Sequence, residues 1–272
     1  MIISASRRCD IPAFHSDWLV NCVKKGSVPV KNLFNRCRER RVPVSPSPVD
    51  LIVFWTKNPA KMLDKLDAFS KYNYYFQFTV TPYGKDIEPG VPDKREIVET
   101  FRKLSKKIGK DRVVWRYDPI LLSETITVEQ HKKWFTEYSA QFRGYTQKCV
   151  ISFIDIYRKN AVILKKAGIF APTEAQQIEL AKSIAKSAEA CGIEASACAE
   201  KINLEHLGIK HGKCIDYPGL PKDKSQRETC GCVKSADIGA YGPCLHACIY
   251  CYANPCLAAS KNGINFHEPH RN

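Results

Sequence analysis

No stretch of this chain approaches the ~18 consecutive apolar residues that a membrane-spanning helix needs. We expect no signal peptide either. The opening MIISASRRCDIPAF has only a short apolar run ahead of Arg7 and Arg8, the reverse of the usual charge order. Both absences lead us to expect a cytoplasmic protein with no membrane partner. Internal repeats and low-complexity tracts are also absent, which removes repeat architectures. Acidic side chains are the scarce charge, 28 Asp+Glu against 42 Lys+Arg, for a net charge of +14. Such an excess favours polyanions, nucleic acid first, through counterion release. It equally fits a solvated lysine-rich surface, because KLSKK, KKIGKDR and LKKAG lie on or beside expected helices.

What is present supports a folded core. The 272 residues are 44% hydrophobic and 10% aromatic, enough for one large domain or two modest ones. Thirteen cysteines are an odd number, so full pairing is impossible. In a long chain without a signal peptide they point to metal ligation or thiol chemistry.

Strand-like and helix-like runs alternate. The runs at 1–6, 49–56, 73–81, 111–120, 148–156 and, more weakly, 192–199 read as strands, and VDLIVFWT has the continuous apolar character of a strand buried on both faces. A helix is expected over 14–26, closed by Gly26. Thr127 with Gln130, and Thr173 with Gln176, form capping boxes; the second of these helices should end near Cys191 and bury Ile178, Ala181, Ala185 and Ala188. Six such units imply right-handed crossovers and an α/β fold, a partial (β/α)6 TIM-like barrel over residues 1–200. Residues 201–272 read as a Cys-rich cap packed on it, made of loops organised by something other than an apolar core.

Polar residues collect just after the expected strands: Arg7, Arg8 and Asp10; Thr56, Lys57 and Asn58; Thr79 and Thr81; Arg116 and Asp118; Asp155, Tyr157 and Arg158. In parallel α/β folds the carboxyl ends of strands are where ligands bind. Loops there are polar in any case, and Asp10 and Asp118 each sit close before a proline, where a turn residue is ordinary.

Near the end of the chain, GPCLHACIYCYANP places Cys244, Cys248 and Cys251 at C-x3-C-x2-C spacing. A structural zinc wants four closed ligands and could recruit His246, His267 or Cys256. An iron–sulfur cubane held by three thiolates keeps one iron open. Upstream, Cys198, Cys214, Cys230 and Cys232 form a second group, suited to an auxiliary [4Fe–4S] cluster or a structural zinc; inert buried thiols are the plainer possibility. Cys9, Cys22, Cys37, Cys149, Cys191 and Cys256 read as structural, with Cys9 notable for its place between Arg8 and Asp10.

CLHACIYCYANP resembles the cysteine motif of radical S-adenosylmethionine enzymes, and its YCY run resembles the group related to spore photoproduct lyase. The whole chain resembles the family catalogued as domain of unknown function 1848, through SASRRCDIPAF, FWTKNPAKML, WRYDPILL, QRETCGC and SADIGAYGPCLHACIYCYAN. The chain departs from the wider superfamily in carrying the motif at its C-terminal end and in lacking a GGE-type stretch after an early strand. The resemblance implies a [4Fe–4S] cluster on Cys244, Cys248 and Cys251, whose open iron binds S-adenosylmethionine. One-electron reduction would then release a 5′-deoxyadenosyl radical that abstracts hydrogen from a small-molecule or nucleic-acid substrate. An electron donor such as flavodoxin or ferredoxin is implied as a partner. Tyr250 would lie near the adenine, and Arg7, Arg8, Lys57, Arg116 and Arg158 could grip a carboxylate or phosphate. Asp10, Asp118 and Asp155 would orient those cations or bind ribose hydroxyls, and Thr56, Asn58 and Thr79 would complete the cofactor contacts. The competing class is a zinc-stabilised nucleic-acid-binding protein without radical chemistry.

Overall fold

The computed structural model describes residues 1–31, 39–242 and 244–253. Cys37, Cys256 and His267 lie outside the described residues. Ten strands are present among those described: β1 (Ile2–Ala5), β2 (Ser27–Lys31), β3 (Glu39–Pro43), β4 (Leu51–Thr56), β5 (Tyr74–Thr79), β6 (Val113–Ile120), β7 (Lys148–Phe153), β8 (Glu194–Cys198), β9 (Lys210–Gly212) and β10 (Ala236–Asp237). The α-helices are α1 (Ile11–Phe14), α2 (Ser16–Lys25), α3 (Lys94–Ile108), α4 (Val128–Phe142), α5 (Ala161–Lys166) and α6 (Glu174–Ala190), with a long 3-10 helix over Ala60–Phe69. Among the described residues no helix is long and apolar enough to cross a membrane.

Eight strands form one sheet in the order β10-β1-β4-β5-β6-β7-β8-β9, while β2 and β3 form a separate antiparallel hairpin. The pairs β10–β1, β1–β4, β6–β7, β7–β8 and β8–β9 are all parallel. This is an α/β fold with a mostly parallel sheet whose described edges are β10 and β9. All six expected strands are in it. Its two edge strands, β9 and β10, come from the segment expected to be loops. That segment also buries Leu204, Ile209, Ile215, Val233 and Ile238, so apolar contacts hold part of it after all. Two- and three-residue strands are too short to leave a period-2 signature.

The described residues divide into two compact units, one drawn from 1–76, 85–92 and 235–253, the other from 77–84 and 93–234. In the first, β4 is buried at five of its six positions, as its apolar run requires, and Phe54 stacks on Phe76 with ring centroids 4.7 Å apart. In the second, Trp115 of β6 stacks on Phe135 of α4 at 4.8 Å and donates its indole N–H to the Val80 carbonyl at 3.0 Å. The helix α6 has the full capping box at Thr173 and Gln176. Its buried face differs from expectation: Leu180, Ala181, Ile184 and Ala188 are buried, whereas Ile178 and Ala185 are half-buried. Leu180 and Ile184, one turn apart, remove more apolar area from water than the alanines and so take the inward positions.

His131 of α4 is 1% exposed, with Nε2 2.8 Å from the Leu121 carbonyl and Nδ1 2.8 Å from the Tyr117 hydroxyl. A carbonyl only accepts, so Nε2 carries the proton and Nδ1 accepts from Tyr117. Burial pushes the imidazole pKa down to about 4 from 6.5, the Leu121 contact opposing. The unfolded chain therefore binds a proton near pH 6.5 that the folded chain refuses until about 4, and stability falls as pH drops through that window. We expect urea midpoints to decline between pH 7 and 4 by an amount equivalent to about 3 kcal/mol from this group. A His131→Gln variant titrated in parallel should lose that part of the slope; an unchanged slope would refute the assignment.

Candidate functional site

The C-terminal motif reaches the first unit through β10. Parallel pairing of Ile3 with Ala236 and Ser4 with Asp237 lays this segment along β1. The Asp237 carboxylate then accepts from the Ser4 hydroxyl at 3.2 Å, the Ser6 hydroxyl at 2.5 Å and the Arg7 N–H at 3.0 Å, with the Arg8 Nε 3.8 Å away. Gly239 follows, and a Cβ there would stand 2.0 Å from Ser6 Oγ and 2.9 Å from Cys9 Sγ. Only a bare backbone can pass this close.

Two turns carry the cysteines. The Ala247 N–H donates to the Cys244 carbonyl at 3.0 Å and the Cys251 N–H to the Cys248 carbonyl at 3.1 Å, with Ala247 at φ 51°. Residues 85–92 brace them from the same unit: Gly90 N–H donates to the His246 carbonyl at 2.9 Å, and Ile249 N–H to the Ile87 carbonyl at 3.1 Å.

Charged side chains surround the motif. Asp10 caps α1 by accepting the Ala13 N–H at 2.9 Å; its other oxygen accepts the Lys57 N–H at 2.6 Å and lies 2.8 Å from His246 Nε2. The carboxylate holds the Nε2 proton in place, which leaves His246 Nδ1 buried with no hydrogen-bond partner. Lys57 extends its ammonium to Glu88 at 2.7 Å and over the Tyr250 ring at 5.5 Å, and the Tyr250 hydroxyl also donates to Glu88. Thr56 accepts from the Asn58 N–H at 3.0 Å, and Asn58 in turn accepts from the Ala60 N–H at 3.1 Å, so both organise the entry to the 3-10 helix. The Arg7 guanidinium lies 5.8 Å over Trp55, and that of Arg8 lies 5.0 Å over Tyr241.

Cys244, Cys248 and Cys9 stand in an environment that opposes their ionisation. Burial pushes Cys248 up to about 12, with Lys57 pulling the other way and Glu88 and Cys251 adding to the rise. Cys244 is raised further, by burial first and then by Asp10 and the other two thiols. Cys9 is likewise pushed up to about 12, chiefly by burial. Buried thiols crowded by carboxylates become thiolates only when a cationic centre joins them. Among the described residues, no three His, Cys, Asp or Glu side chains are gathered so as to hold a single metal ion. A cubane takes each thiolate on a different iron, so its ligands need not converge on one point. The donor set and the bare Nδ1 thus fit a polynuclear thiolate centre with a polar ligand beside it.

A model of the family described as Domain of unknown function (DUF1848) matches residues 2–253. The chain belongs to this family. No curated protein matches it. In this DUF1848 chain the first unit therefore gathers Arg7, Arg8, Asp10, Thr56, Lys57, Asn58, Tyr250 and the three motif cysteines.

The remaining expected residues lie in the second unit. Arg116 is buried, donating from Nη1 to Cys214 Sγ at 2.8 Å and to Gln77 Oε1 at 3.4 Å, and from Nη2 to Asp118. Asp155 is exposed and accepts from Arg227 and, at 3.0 Å, from the Tyr157 hydroxyl. Thr79 is half-buried at the end of β5, and Arg158 is exposed. Sequence reasoning missed Glu88, Asp237 and Gln77. Glu88 sits in KDIEPGVP, where a carboxylate reads as a turn residue, and no periodicity distinguishes it.

The bracing by residues 85–92 has a direct test. A Cβ on Gly90 would stand 1.9 Å from the Leu245 carbonyl oxygen and 2.8 Å from His246 Cα, both backbone atoms. We expect Gly90→Ala to cost roughly 1–3 kcal/mol in urea denaturation, as overpacking does. Unchanged stability would show that the brace does not press on the motif.

Proposed function

We propose that this protein is a cytoplasmic radical S-adenosylmethionine enzyme, with its parallel sheet forming part of an incomplete barrel and Cys244, Cys248 and Cys251 holding the catalytic [4Fe–4S] cluster. One observation carries the reading. Three thiols at C-x3-C-x2-C spacing, two of them (Cys244 and Cys248) raised by burial, lie in one unit with an oriented imidazole whose second nitrogen has no partner. When bound, cluster and cofactor together supply reductive cleavage of the sulfonium and hence hydrogen abstraction from a substrate.

The chain's own residues would do the holding. Lys57, paired with Glu88, brings a positive charge to the thiols without exposing it to water; its side chain is 14% exposed and that of Glu88 is 0%. Tyr250 is fixed by its hydroxyl on Glu88 and by the Lys57 ammonium over its ring, so its face is set for a flat partner such as adenine. Asp10 keeps His246 in the tautomer that offers a lone pair, suited to an ammonium such as that of the methionine moiety. A small electron-transfer protein of the flavodoxin or ferredoxin class would supply the electron.

The same imidazole supports a second reading. Three cysteines and a histidine oriented by a carboxylate are also a zinc ligand set. One experiment separates the two. Anaerobically purified protein should be brown, contain iron and sulfide, and release 5′-deoxyadenosine when given dithionite and S-adenosylmethionine; Cys248→Ala should reduce that release to background. A colourless, zinc-loaded protein that takes up no iron would remove the enzyme reading.

For the substrate we favour nucleic acid. Tyr241 and Tyr252 are 50% and 49% exposed beside the motif, in the unit that carries Arg7 and Arg8, and the chain has a net charge of +14. Exposed rings stack bases while guanidinium groups meet phosphates. Single-stranded DNA or RNA should bind at low salt, weaken steeply as salt rises, and lose affinity in Tyr241→Ala by about 1–3 kcal/mol. Negligible binding at low salt would turn the choice to a small molecule.

A further inference from the structure

We infer that Cys198, Cys214, Cys230 and Cys232, gathered within the second unit, hold an iron–sulfur cluster of their own. Four sequence-distant thiols meet there. Cys198 ends β8, Cys214 follows β9, and Cys230 and Cys232 come from the loop beyond. The Cys214 Sγ is 2.9 Å from Cys198 Sγ; Cys214 also contacts Cys232, and Cys232 contacts Cys230. All four are free thiols, and Cys214, Cys230 and Cys232 are 2%, 6% and 2% exposed.

The groups around them are donors aimed at sulfur. Arg116 places Nη1 2.8 Å from Cys214 Sγ, and the Ile215 N–H donates to Cys232 Sγ at 3.4 Å. A neutral thiol is a weak acceptor, and a buried guanidinium has little reason to spend a donor on one. A metal-bound thiolate is a strong acceptor, and N–H···S bonds are the usual outer shell of such centres. The guanidinium keeps its charge in proteins, and its Nη2 also meets Asp118. A thiolate-rich centre carries the negative charge that this cation matches.

The segment also needs a centre to organise it. Residues 213–234 form neither helix nor strand, apart from one bridge between Lys222 and Val233, yet they bury Cys214, Ile215, Cys230, Cys232 and Val233. A single zinc fits the arrangement poorly. Two thiolates on one tetrahedral zinc stay about 3.7 Å apart, given bonds of about 2.3 Å, whereas Cys198 and Cys214 are 2.9 Å apart and, among the described residues, no three His, Cys, Asp or Glu side chains are placed to hold one ion. A cluster spreads four thiolates over two or four irons and so accepts thiols that do not converge on one point, once the Cys198–Cys214 contact opens.

The inference is independent of the three-cysteine centre, and its test keeps the two apart. A full-length Cys244→Ala/Cys248→Ala/Cys251→Ala variant, purified anaerobically, should retain about two or four irons per chain with matching sulfide, as a four-cysteine cluster of either size holds. It should also give a visible thiolate-to-iron band bleached by dithionite. In the reciprocal variant, Cys230→Ser/Cys232→Ser, that iron should be missing while 5′-deoxyadenosine formation persists above background. If the triple variant misfolds, loss of a matching share of wild-type iron in the reciprocal variant still supports the site. Zinc in place of iron, a Cys198–Cys214 disulfide with no metal, or unchanged iron content in the reciprocal variant would each overturn it. Arg116→Gln, with iron retained, should lower the reduction potential of this centre through loss of the N–H···S bond and the positive charge; an unmoved potential would remove Arg116 from the site. Failure of the three-cysteine reading has a different signature: no deoxyadenosine from the wild type, whatever the triple variant contains.

Discussion

The carboxylate of Asp10 joins three stretches that are far apart in sequence. One oxygen closes the first turn of α1 through the Ala13 N–H, and the other takes the Lys57 N–H at the end of β4 and His246 Nε2 in the C-terminal motif. A side chain shared in this way has almost no rotational freedom left, and it is 6% exposed. Everything proposed for the first unit depends on that anchoring. It fixes where Lys57 leaves the sheet, which His246 nitrogen is protonated, and how the motif backbone lies against residues 85–92. An anionic side chain buried with three donors needs no counterion in contact, because charge-assisted hydrogen bonds supply the compensation.

Charge balance around the two groups of thiols follows one logic in two versions. In the first unit a buried ion pair, Lys57 with Glu88, stands beside Cys248, whose thiol is pushed up chiefly by burial while Lys57 and Glu88 act on it in opposite directions. In the second unit Arg116 donates directly into Cys214, yet that thiol is also raised overall: the Cys198 contact and Arg116 lower it, while the Cys232 contact and burial raise it. Burying a pair is expensive, and its retention makes sense where it sets a local potential rather than where it stabilises the fold. Both units contain such a pair beside cysteine.

Much of the scaffold was legible because inner strands of a parallel sheet announce themselves. LIVFWT, VVWRYDPI and KCVISF are apolar enough to be read without ambiguity, and Gly26 and Thr173 mark helix ends through backbone chemistry that is local. The edge strands were not legible, since Lys210–Gly212 and Ala236–Asp237 owe their conformation to pairing partners and not to their own pattern. The candidate site divides in the same way. Cysteine spacing exposed both thiol groups, and position after a strand exposed Asp10 and Lys57, whereas Arg116 lies within β6 itself. Glu88 escaped because its importance lies in what it meets, Lys57 and Tyr250, 31 and 162 residues away. Arg116, expected among the ligand-gripping cations, donates to Cys214 Sγ, a contact 98 residues along the chain that no local pattern announces.

A motif at the far end of a chain can serve the first strand because parallel sheets are indifferent to chain order. An edge of β1 left open by its pairing with β4 accepts any extended segment running the same way, and Ala236–Asp237 satisfies that with a two-residue register. Asp237 then does for the tail what a tight βα turn would do for a motif placed directly after β1: it ties Ser4, Ser6 and the Arg7 amide to the incoming chain. Gly239 lets the backbone cross Ser6 and Cys9 without a side chain in the way. The motif consequently reaches Asp10, through His246, from 236 positions along the chain rather than immediately, and the long route costs little because loop-closure entropy grows only logarithmically with length. Within the first unit, placement at the end of β1 is therefore a property of the sheet edge and of one aspartate.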